Sequence, residues 1–436
     1  MPLGEIAARL EDLLDGSPAE VTEISWLEVR RGQESNGKRR RDSYEVHERS
    51  VLVRVRESGR TGLHRTSVAG PSDLENALRD AMAQARLAPP SPAPRTPPGH
   101  DASVSTAGLC DPALTAMTPV KARELLQRLA TRGETARIGW ADGRIAVADS
   151  RGLRRAAEVT SGWMEVVCGR QPGAGRAAAA SRSLADLEPE RVFERARRRQ
   201  GPPEVVQPPA GPVPLLLSQE ATAGLIELLN RHALTSDSFH AGVSCLRGCL
   251  GQPVFHPVVH LRDDPTDPRG LPFPFDLMGA AARPVDLIQG GVAVTPAVDD
   301  RLARELGLPP TPHCVAADEA AASHLFLLPG GLPEEELLRA ADGGVWVPAL
   351  EPLEAFNPYA LRFRAVIRGA RQIHGGVLGR ALPDLVWEDD LRSVLSRVLG
   401  VGSELVPIAT GAGLFRATTA PMLAVEGVTG LCFAVE

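Results

Sequence analysis

The sequence predicts an α+β fold: an N-terminal α/β part with antiparallel sheets and flanking helices, then a β-rich C-terminal domain with helices. Strand-like and helix-like stretches do not alternate regularly, as a parallel sheet would require. Two stretches, 88–100 and 201–214, each hold six prolines, and proline at that density predicts extended linkers. With 436 residues, the chain is long enough for two or three domains. We therefore predict three segments, 1–95, 96–208 and 209–436, of which the second completes the N-terminal part.

The first segment begins with an amphipathic pattern. Leu3, Ile6, Leu10, Leu13 and Leu14 share one face of a predicted helix. Two strand-like runs follow, over 20–31 and 43–57. A second helix closes the segment, and we place its capping box at Ser72 and Glu75.

The second segment begins its helix at Thr118-Pro119, a capping residue followed by proline at the first helical position. In the strands that follow, Asp142-Gly143 predicts a hairpin turn. The third segment begins with a strand at Pro214–Leu217. It closes with a helix over 388–400, which is acidic at its start and has glycine at its end.

Composition and charge narrow the class of protein. The formal net charge is −6 with a pI near 6.0, so the whole molecule does not attract nucleic acid or an anionic membrane. No run approaches the roughly 20 apolar residues of a membrane span. The first residues lack a secretory pattern, and six cysteines are sparse in this length, so we expect a cytoplasmic protein.

The stretch LIELLNRHALTSD, residues 225–237, raises the question of a metal site. Glu227 and His232 are two candidate ligands, whereas catalytic zinc needs three protein ligands and a carboxylate base. In a straight α-helix, five residues turn through about 500° and leave these side chains roughly 140° apart. Leu228, beside Glu227, offers no base. The residues alone favour a helix with one histidine at its polar edge.

Other chemical candidates are weaker. His256 and His260 have helical metal-pair spacing, but Pro257 and nearby valines predict an extended segment, in which they are about 13 Å apart. The stretch LRDDPTDPRG, residues 261–270, predicts consecutive turns rather than a cation site. Cys245 and Cys249 lack a second pair. His313 lies in a proline-rich loop and predicts no triad.

Two basic runs, 38–41 and 195–199, are the only sequence support for nucleic-acid binding. Aromatic residues make up 4% of the chain, and no base-reading motif accompanies the runs. We expect both to be solvated loop or helix ends, and nucleic acid to be an improbable partner.

Taken in order, several stretches resemble the TldD/PmbA family, the "modulator of DNA gyrase" proteins. They include VLVRVRESGRTGLHRTS in the first segment and VADSRGLRRAAEVTS in the second. In the third segment they are LLLSQEATAGLIELL, GQPVFHPVVHLRDDPTDPRG and the closing APMLAVEGVTG. No single stretch is decisive, but the order and spacing cover nearly the whole chain.

The resemblance implies a zinc peptidase fold with two kinds of chain. The TldD-like kind has His-Glu, three residues, then His on the helix of the third segment, and a cysteine near the C-terminus. On this sequence the motif falls at Glu227, Leu228 and His232, and only His232 matches. The cysteine would fall within 408–415, which contains none. The chain therefore resembles the PmbA, or TldE, kind.

This resemblance implies a subunit with no catalytic residue and no metal of its own, paired with a TldD-like subunit that holds zinc. The pair would act on extended or modified peptides. Two other functions remain open: a nucleic-acid- or gyrase-associated regulatory module, and a homodimeric hydrolase with an unrecognised site.

Overall fold

The computed structural model describes residues 2–37, 43–209, 211–316, 319–410, 416–429 and 431–433. Mixed sheets and helices confirm the α+β class. The helices and strands before the second proline-rich stretch are α1 Leu3–Asp15, β1 Val21–Ser35, β2 Tyr44–Glu57, β3 Arg60–Ser67, α2 Pro71–Leu87, α3 Pro112–Thr115, α4 Pro119–Leu129, β4 Glu134–Asp149, β5 Arg154–Cys168, β6 Gly175–Ser181, α5 Leu184–Leu187 and α6 Pro189–Arg199.

The six strands form one antiparallel sheet in the order β3-β2-β1-β4-β5-β6. Strand β1 pairs with β2 on one side and with β4 on the other, so the sheet joins residues from both predicted N-terminal segments. Strand β6 is one edge of this sheet and faces the C-terminal domain.

Alternation along the strands divides the two faces of the sheet. On one face Trp26 and Trp140 are buried among helices α1, α2, α4 and α6. On the other face Ile145 and Val147 pack with Phe273 and Phe275, which follow β8 in the C-terminal domain. Helices therefore cover one face of the sheet, and residues of the C-terminal domain pack on the other.

Two local predictions in this part are wrong. Asp142-Gly143 does not turn: Asp142 pairs with Arg30 on one side and Thr160 on the other, in the middle of β4. Pairing along both edges outweighs the local turn preference. Helix α2 begins earlier than predicted, with Gly70 as its N-cap and Pro71 at the first turn. There the Asp73 carboxylate accepts the Gly70 N–H at 2.9 Å, in place of the predicted Ser72 and Glu75 box.

The helix predictions at α1 and α4 are confirmed. Ile6, Leu10, Leu13 and Leu14 are buried, and the Thr118 hydroxyl accepts the Lys121 N–H at 3.3 Å.

The C-terminal domain has short strands and helices. They are β7 Val213–Leu217, α7 Gln219–Leu229, α8 Ser236–His240, β8 Leu261–Asp263, β9 Val285–Gln289, β10 Val292–Ala293, α9 Asp300–Leu306, β11 Cys314–Ala316, β12 Glu319–Ala320, β13 His324–Leu327, α10 Glu334–Ala340, β14 Val345–Val347, β15 Leu350–Asn357, β16 Arg362–Ile367, β17 Arg371–His374, β18 Val377–Ala381, β19 Leu385–Asp390, α11 Leu391–Ser396, β20 Val398–Val401, β21 Val406–Ala409, β22 Ala417–Ala420, β23 Leu423–Val428 and β24 Leu431–Phe433.

These strands form three larger sheets, in the orders β10-β9-β8-β13-β22-β21, β18-β17-β14-β7-β23-β20 and β15-β16-β19-β24. Helix α7 packs among them and contributes Leu225, Ile226 and Leu229 to the largest apolar core. The predicted closing helix is shorter than expected: α11 spans only Leu391–Ser396, because the residues on either side pair as β19 and β20. Within the described ranges, no helix is both long and apolar enough to cross a bilayer.

Candidate functional site

A cleft of about 480 Å³ lies where the N-terminal sheet meets the C-terminal domain. Its walls are the edge strand β6, the edge strand β21, helix α7 and the start of strand β15. The cleft therefore borders both main parts of the chain, a common position for a ligand site.

Helix α7 places Glu227, one of the two candidate metal ligands, at this cleft. The Ser218 hydroxyl caps the helix by accepting the Ala221 N–H at 3.1 Å. After Leu229 the chain continues through one wider turn of π-helical type, Asn230–Leu234, and such turns are frequent at functional sites. Because of this turn, the straight-helix angle between Glu227 and His232 does not apply beyond Leu229.

Of the two candidate ligands, Glu227 lines the cleft together with Leu228 and Arg231. Burial raises the pKa of the Glu227 carboxyl, which Asn230 and Arg231 only partly oppose. Such a carboxyl is biased toward its neutral form, which is a poor metal ligand.

His232 is half-buried and does not belong to the residues that line the cleft. Burial, and next the charge of Arg231, lower the pKa of its imidazole. Leu228, at the position that the family resemblance assigns to the glutamate, has no group that accepts a proton. Among the described residues no group of three or more His, Cys, Asp or Glu side chains stands close enough to hold a metal ion. The described residues of the cleft do not fit a zinc ion; of 408–415, where the family cysteine would fall, the structure describes 408–410.

Charged side chains cross the cleft in an alternating chain. Arg137 donates to Glu165 at 3.1 Å, Glu165 also pairs with Arg176, and Arg176 donates to Glu351 at 2.8 Å. The last contact joins β6 to β15, and therefore joins the two parts of the chain. Arg231 is exposed and forms no ion pair in the described part of the chain, although its charge acts on the nearby Glu227 carboxyl.

A buried ion pair fixes the start of α7 against β6. Arg199 donates to the Glu220 carboxylate at 3.0 Å, and both side chains are almost fully buried. Burial alone would raise the pKa of Glu220, but Arg199 and then Arg195 hold it below its ordinary value. Sequence patterns did not indicate this contact, because its residues belong to different predicted domains.

The same side chains occupy the free edge of β6. Glu220 accepts the Ala178 N–H at 2.7 Å, Arg195 donates to the Ala178 carbonyl, and Arg199 donates to the Arg176 carbonyl at 3.0 Å. Edge groups bonded in this way do not accept a further strand. Strand β15 borders the cleft as well, and among the described strands it pairs only with β16.

The basic run 195–199 is not the solvated helix end that we predicted. Arg195 and Arg199 are buried, because α6 packs its last turn on β6 and Glu220 neutralises both guanidinium groups. Arg197 pairs with Glu134 at 2.7 Å. Most arginines of this run therefore contact other residues of the chain. The other basic run, 38–41, lies outside the described residues.

The remaining histidine and carboxylate candidates are structural. His256 begins a turn, in which its carbonyl accepts the Val259 N–H at 2.9 Å, instead of the predicted extended segment. The rings of His256 and His260 each accept a backbone N–H, from Val258 at 3.3 Å and Gly290 at 3.2 Å. The turn prediction is confirmed for 264–270, where Asp264 and Asp267 accept backbone N–H groups two residues ahead, whereas 261–263 form strand β8.

A buried hydrogen-bond chain, Thr311–His313–Asp263, was not predicted. His313 contacts the Thr311 hydroxyl at 2.8 Å and the Asp263 carboxylate at 2.9 Å. All three residues are buried, and the Thr311 hydroxyl also accepts the Val298 N–H at 2.8 Å. A hydroxyl held in this way is not an accessible nucleophile. These hydrogen bonds instead connect the loop of Thr311 and His313 to Asp263 at the end of β8.

Comparison with known proteins identifies a matching family model and a related sequence. Residues 210–430 match the family model described as the PmbA/TldA metallopeptidase C-terminal domain. A metalloprotease of Methanothermobacter thermautotrophicus is 26% identical over 201 residues, which are 45% of this chain and 44% of that protein. The match thus spans less than half the length of that relative.

Two solved structures have a similar fold over their whole length. TldE from Thermococcus kodakarensis has a TM-score of 0.82 at 20% identity, covering 96% of this chain and 99% of that chain. A candidate modulator of a DNA gyrase from Thermotoga maritima has a TM-score of 0.83 at 20% identity, covering 99% and 100%. At these identities the likeness concerns the fold.

Proposed function

Because the chain belongs to the PmbA/TldD metallopeptidase family, we propose that it is the non-catalytic subunit of a two-subunit zinc peptidase. Its partner is a TldD-like chain that supplies the two histidines, the glutamate and the cysteine. This chain completes the cleft and holds extended or modified peptides.

One observation carries the proposal. At the family's metal position the cleft presents an inward carboxyl with a raised pKa at Glu227 and an apolar side chain at Leu228. Leu228 has no group that accepts a proton from water, and in the described part of the chain no set of zinc ligands stands beside Glu227. The fold retains the cleft while its helix lacks the chemistry, which is the arrangement expected of a supporting subunit.

The walls of the cleft favour an extended peptide. Strand β15 offers an edge for strand addition, whereas β6 does not, because side chains occupy its outward groups. Arg231, which forms no ion pair in the described part of the chain, provides a contact for a substrate carboxylate.

Co-expression with a TldD-like chain tests the proposal. We expect a stable pair on size-exclusion chromatography that cleaves an unfolded peptide. Activity should vanish when the partner's glutamate of the His-Glu motif is changed, and survive His232→Ala here. A partner that is fully active alone, or one that never co-purifies, contradicts the proposal.

A blocking variant separates the cleft from the pairing. Gly224 lines the cleft on α7, and a β-carbon there meets only Leu353, at 3.4 Å. Gly224→Trp should fill the cleft and abolish cleavage while the pair still forms. Gly331→Trp, at an exposed glycine with no atom within 4 Å of a β-carbon, is the matched control and should cleave normally. Equal activity of the two variants counts against substrate binding in this cleft.

A further inference from the structure

A second cavity, of about 220 Å³, lies away from the cleft. It is enclosed by the loops that follow β8, by residues 312–315, and by Leu27 on the helix-free face of the N-terminal sheet. Its volume is below the roughly 300 Å³ at which drug-sized pockets begin, so it suits a ligand with a single ring.

The body of the cavity is apolar. Phe273 and Phe275 line one wall with their rings 5.1 Å apart and inclined by 52°. Leu27, Pro265 and Pro312 line other parts. An aromatic or aliphatic group is stabilised in such a pocket by contact with the rings and by removal from water.

The polar part of the lining includes Arg416 and His324, together with Asp276, His313, Cys314 and Ser323. Arg416 is half-buried and has no ion-pair partner in the part of the chain that the structure describes. His324 is 5% exposed, and within the described ranges its Nε2 has no hydrogen-bond partner. Burial lowers the pKa of His324 to about 4, so the imidazole is neutral at pH 7.

His324 is held rigidly in place. Its backbone N–H donates to Asp263 at 2.6 Å, and its Nδ1 contacts the Ser323 hydroxyl at 2.9 Å. The carboxylate of Asp276, which lines the cavity, already has hydrogen-bond partners: it accepts the N–H groups of Met278, Ala280 and Cys314 at 2.9–3.0 Å. The groups left to meet a ligand are therefore Arg416 and His324.

We propose that this cavity binds a small apolar carboxylate, with its ring or alkyl body against Phe273 and Phe275 and its carboxylate at Arg416 and His324. Within the described ranges, a buried imidazole nitrogen without a hydrogen-bond partner, an arginine that forms no ion pair and an apolar chamber together match this ligand class. This cavity shares no lining residue with the peptide cleft, although the charge of Arg416 also acts on Glu227 in the cleft wall.

Phenylacetate is the probe for a titration of the full chain by ligand-observed NMR. A fragment of this size is expected to bind with a dissociation constant on the order of 1 mM. Phenethylamine, which has a similar body and the opposite charge, should not bind. Glycyl-phenylalanine, titrated in parallel, shows whether the carboxylate of a peptide end is also accepted.

Two variants locate the site. Arg416→Gln should weaken phenylacetate binding by about 10- to 100-fold, because it removes the charged hydrogen bond. Ala282→Phe should abolish binding by filling the cavity, which Ala282 lines. Arg269→Gln, at an exposed arginine paired with Asp267, is the control and should bind as the native chain does.

The proposal is overturned if phenylacetate shows no saturable binding up to about 10 mM. It is also overturned if Arg416→Gln binds as tightly as the native chain, or if phenethylamine binds equally well. Circular dichroism of each variant confirms that it is folded, and Arg416→Gln decides the matter if Ala282→Phe does not fold.

Discussion

Replacing Glu220 by alanine should reveal how strongly the buried ion pair stabilises the junction between the two parts of the chain. The Glu220 carboxylate accepts from Arg199 at 3.0 Å and from the Ala178 N–H at 2.7 Å, with Arg195 4.0 Å away. Its side chain is 6% exposed. Glu220→Ala therefore leaves two buried guanidinium groups without their carboxylate counterion and one edge N–H without its acceptor.

The expected loss follows from that count. Removing one partner of a buried ion pair costs about 3–5 kcal/mol in free energy of unfolding, because the other charge stays buried. Glu190→Ala is the matched control. Glu190 pairs with Arg128 at 3.7 Å with both side chains more than half exposed, and such pairs contribute about 0–1 kcal/mol. Glu220→Gln, which keeps an oxygen for Ala178, should lie between the two.

The stabilisation should also depend on pH. Because the folded chain holds the pKa of Glu220 below the ordinary value of 4.5, this carboxylate stabilises the fold above that pH. The contribution is lost as pH falls through the lowered pKa of the folded state. Glu220→Ala should therefore unfold with a shallower dependence on pH below about 4.5 than the native chain.

Urea unfolding, followed by circular dichroism and by tryptophan fluorescence, measures these free energies. The two probes should agree if the unfolding is two-state. The reasoning is refuted if Glu220→Ala and Glu190→Ala lose stability equally, or if the acid dependence of Glu220→Ala equals that of the native chain.

Two further predictions concern packing and the linkers. Gly62→Ala should destabilise the fold by more than 1–3 kcal/mol, the range typical of overpacking, because its β-carbon would lie 1.9 Å from the Ala81 carbonyl oxygen. Gly4→Ala, a helical glycine with open space around it, should instead stabilise by about 0.5–1 kcal/mol, and thermal unfolding of both checks the contrast. Limited proteolysis should cut first at the exposed residues 202–205, and a main cut within 215–260 contradicts the domain division.

Sequence patterns predicted helix features that depend on residues close together in the chain. The apolar face of α1 and the Thr118 cap of α4 were readable because helix periodicity and capping involve residues within four positions of each other. Asp142-Gly143 failed for the opposite reason: the partners that hold it in a strand are about 110 residues before it and 18 after it.

The site was predictable in position but not in its contacts. The family pattern placed Glu227 and Leu228, and both line the cleft. The contact of Glu220 with Arg199 and Arg195 joins two predicted domains, and that of Asp263 with His313 spans 50 residues. A single sequence does not show which charged residues meet when they are so far apart along the chain. Hydrophobic periodicity indicates only which face of a helix or strand is buried.

The order of the N-terminal strands has a consequence for synthesis of the chain on the ribosome. Strand β1 pairs with β2 early, but its other edge pairs with β4, which ends at Asp149. Between the end of β2 at Glu57 and that residue the ribosome must add 92 amino acids, which takes about 5–18 s at ~5–20 residues per second. During that interval a strand of 15 residues emerges with one edge open, as a template for pairing with other nascent chains. Efficient production of this protein therefore depends on how quickly translation delivers β4.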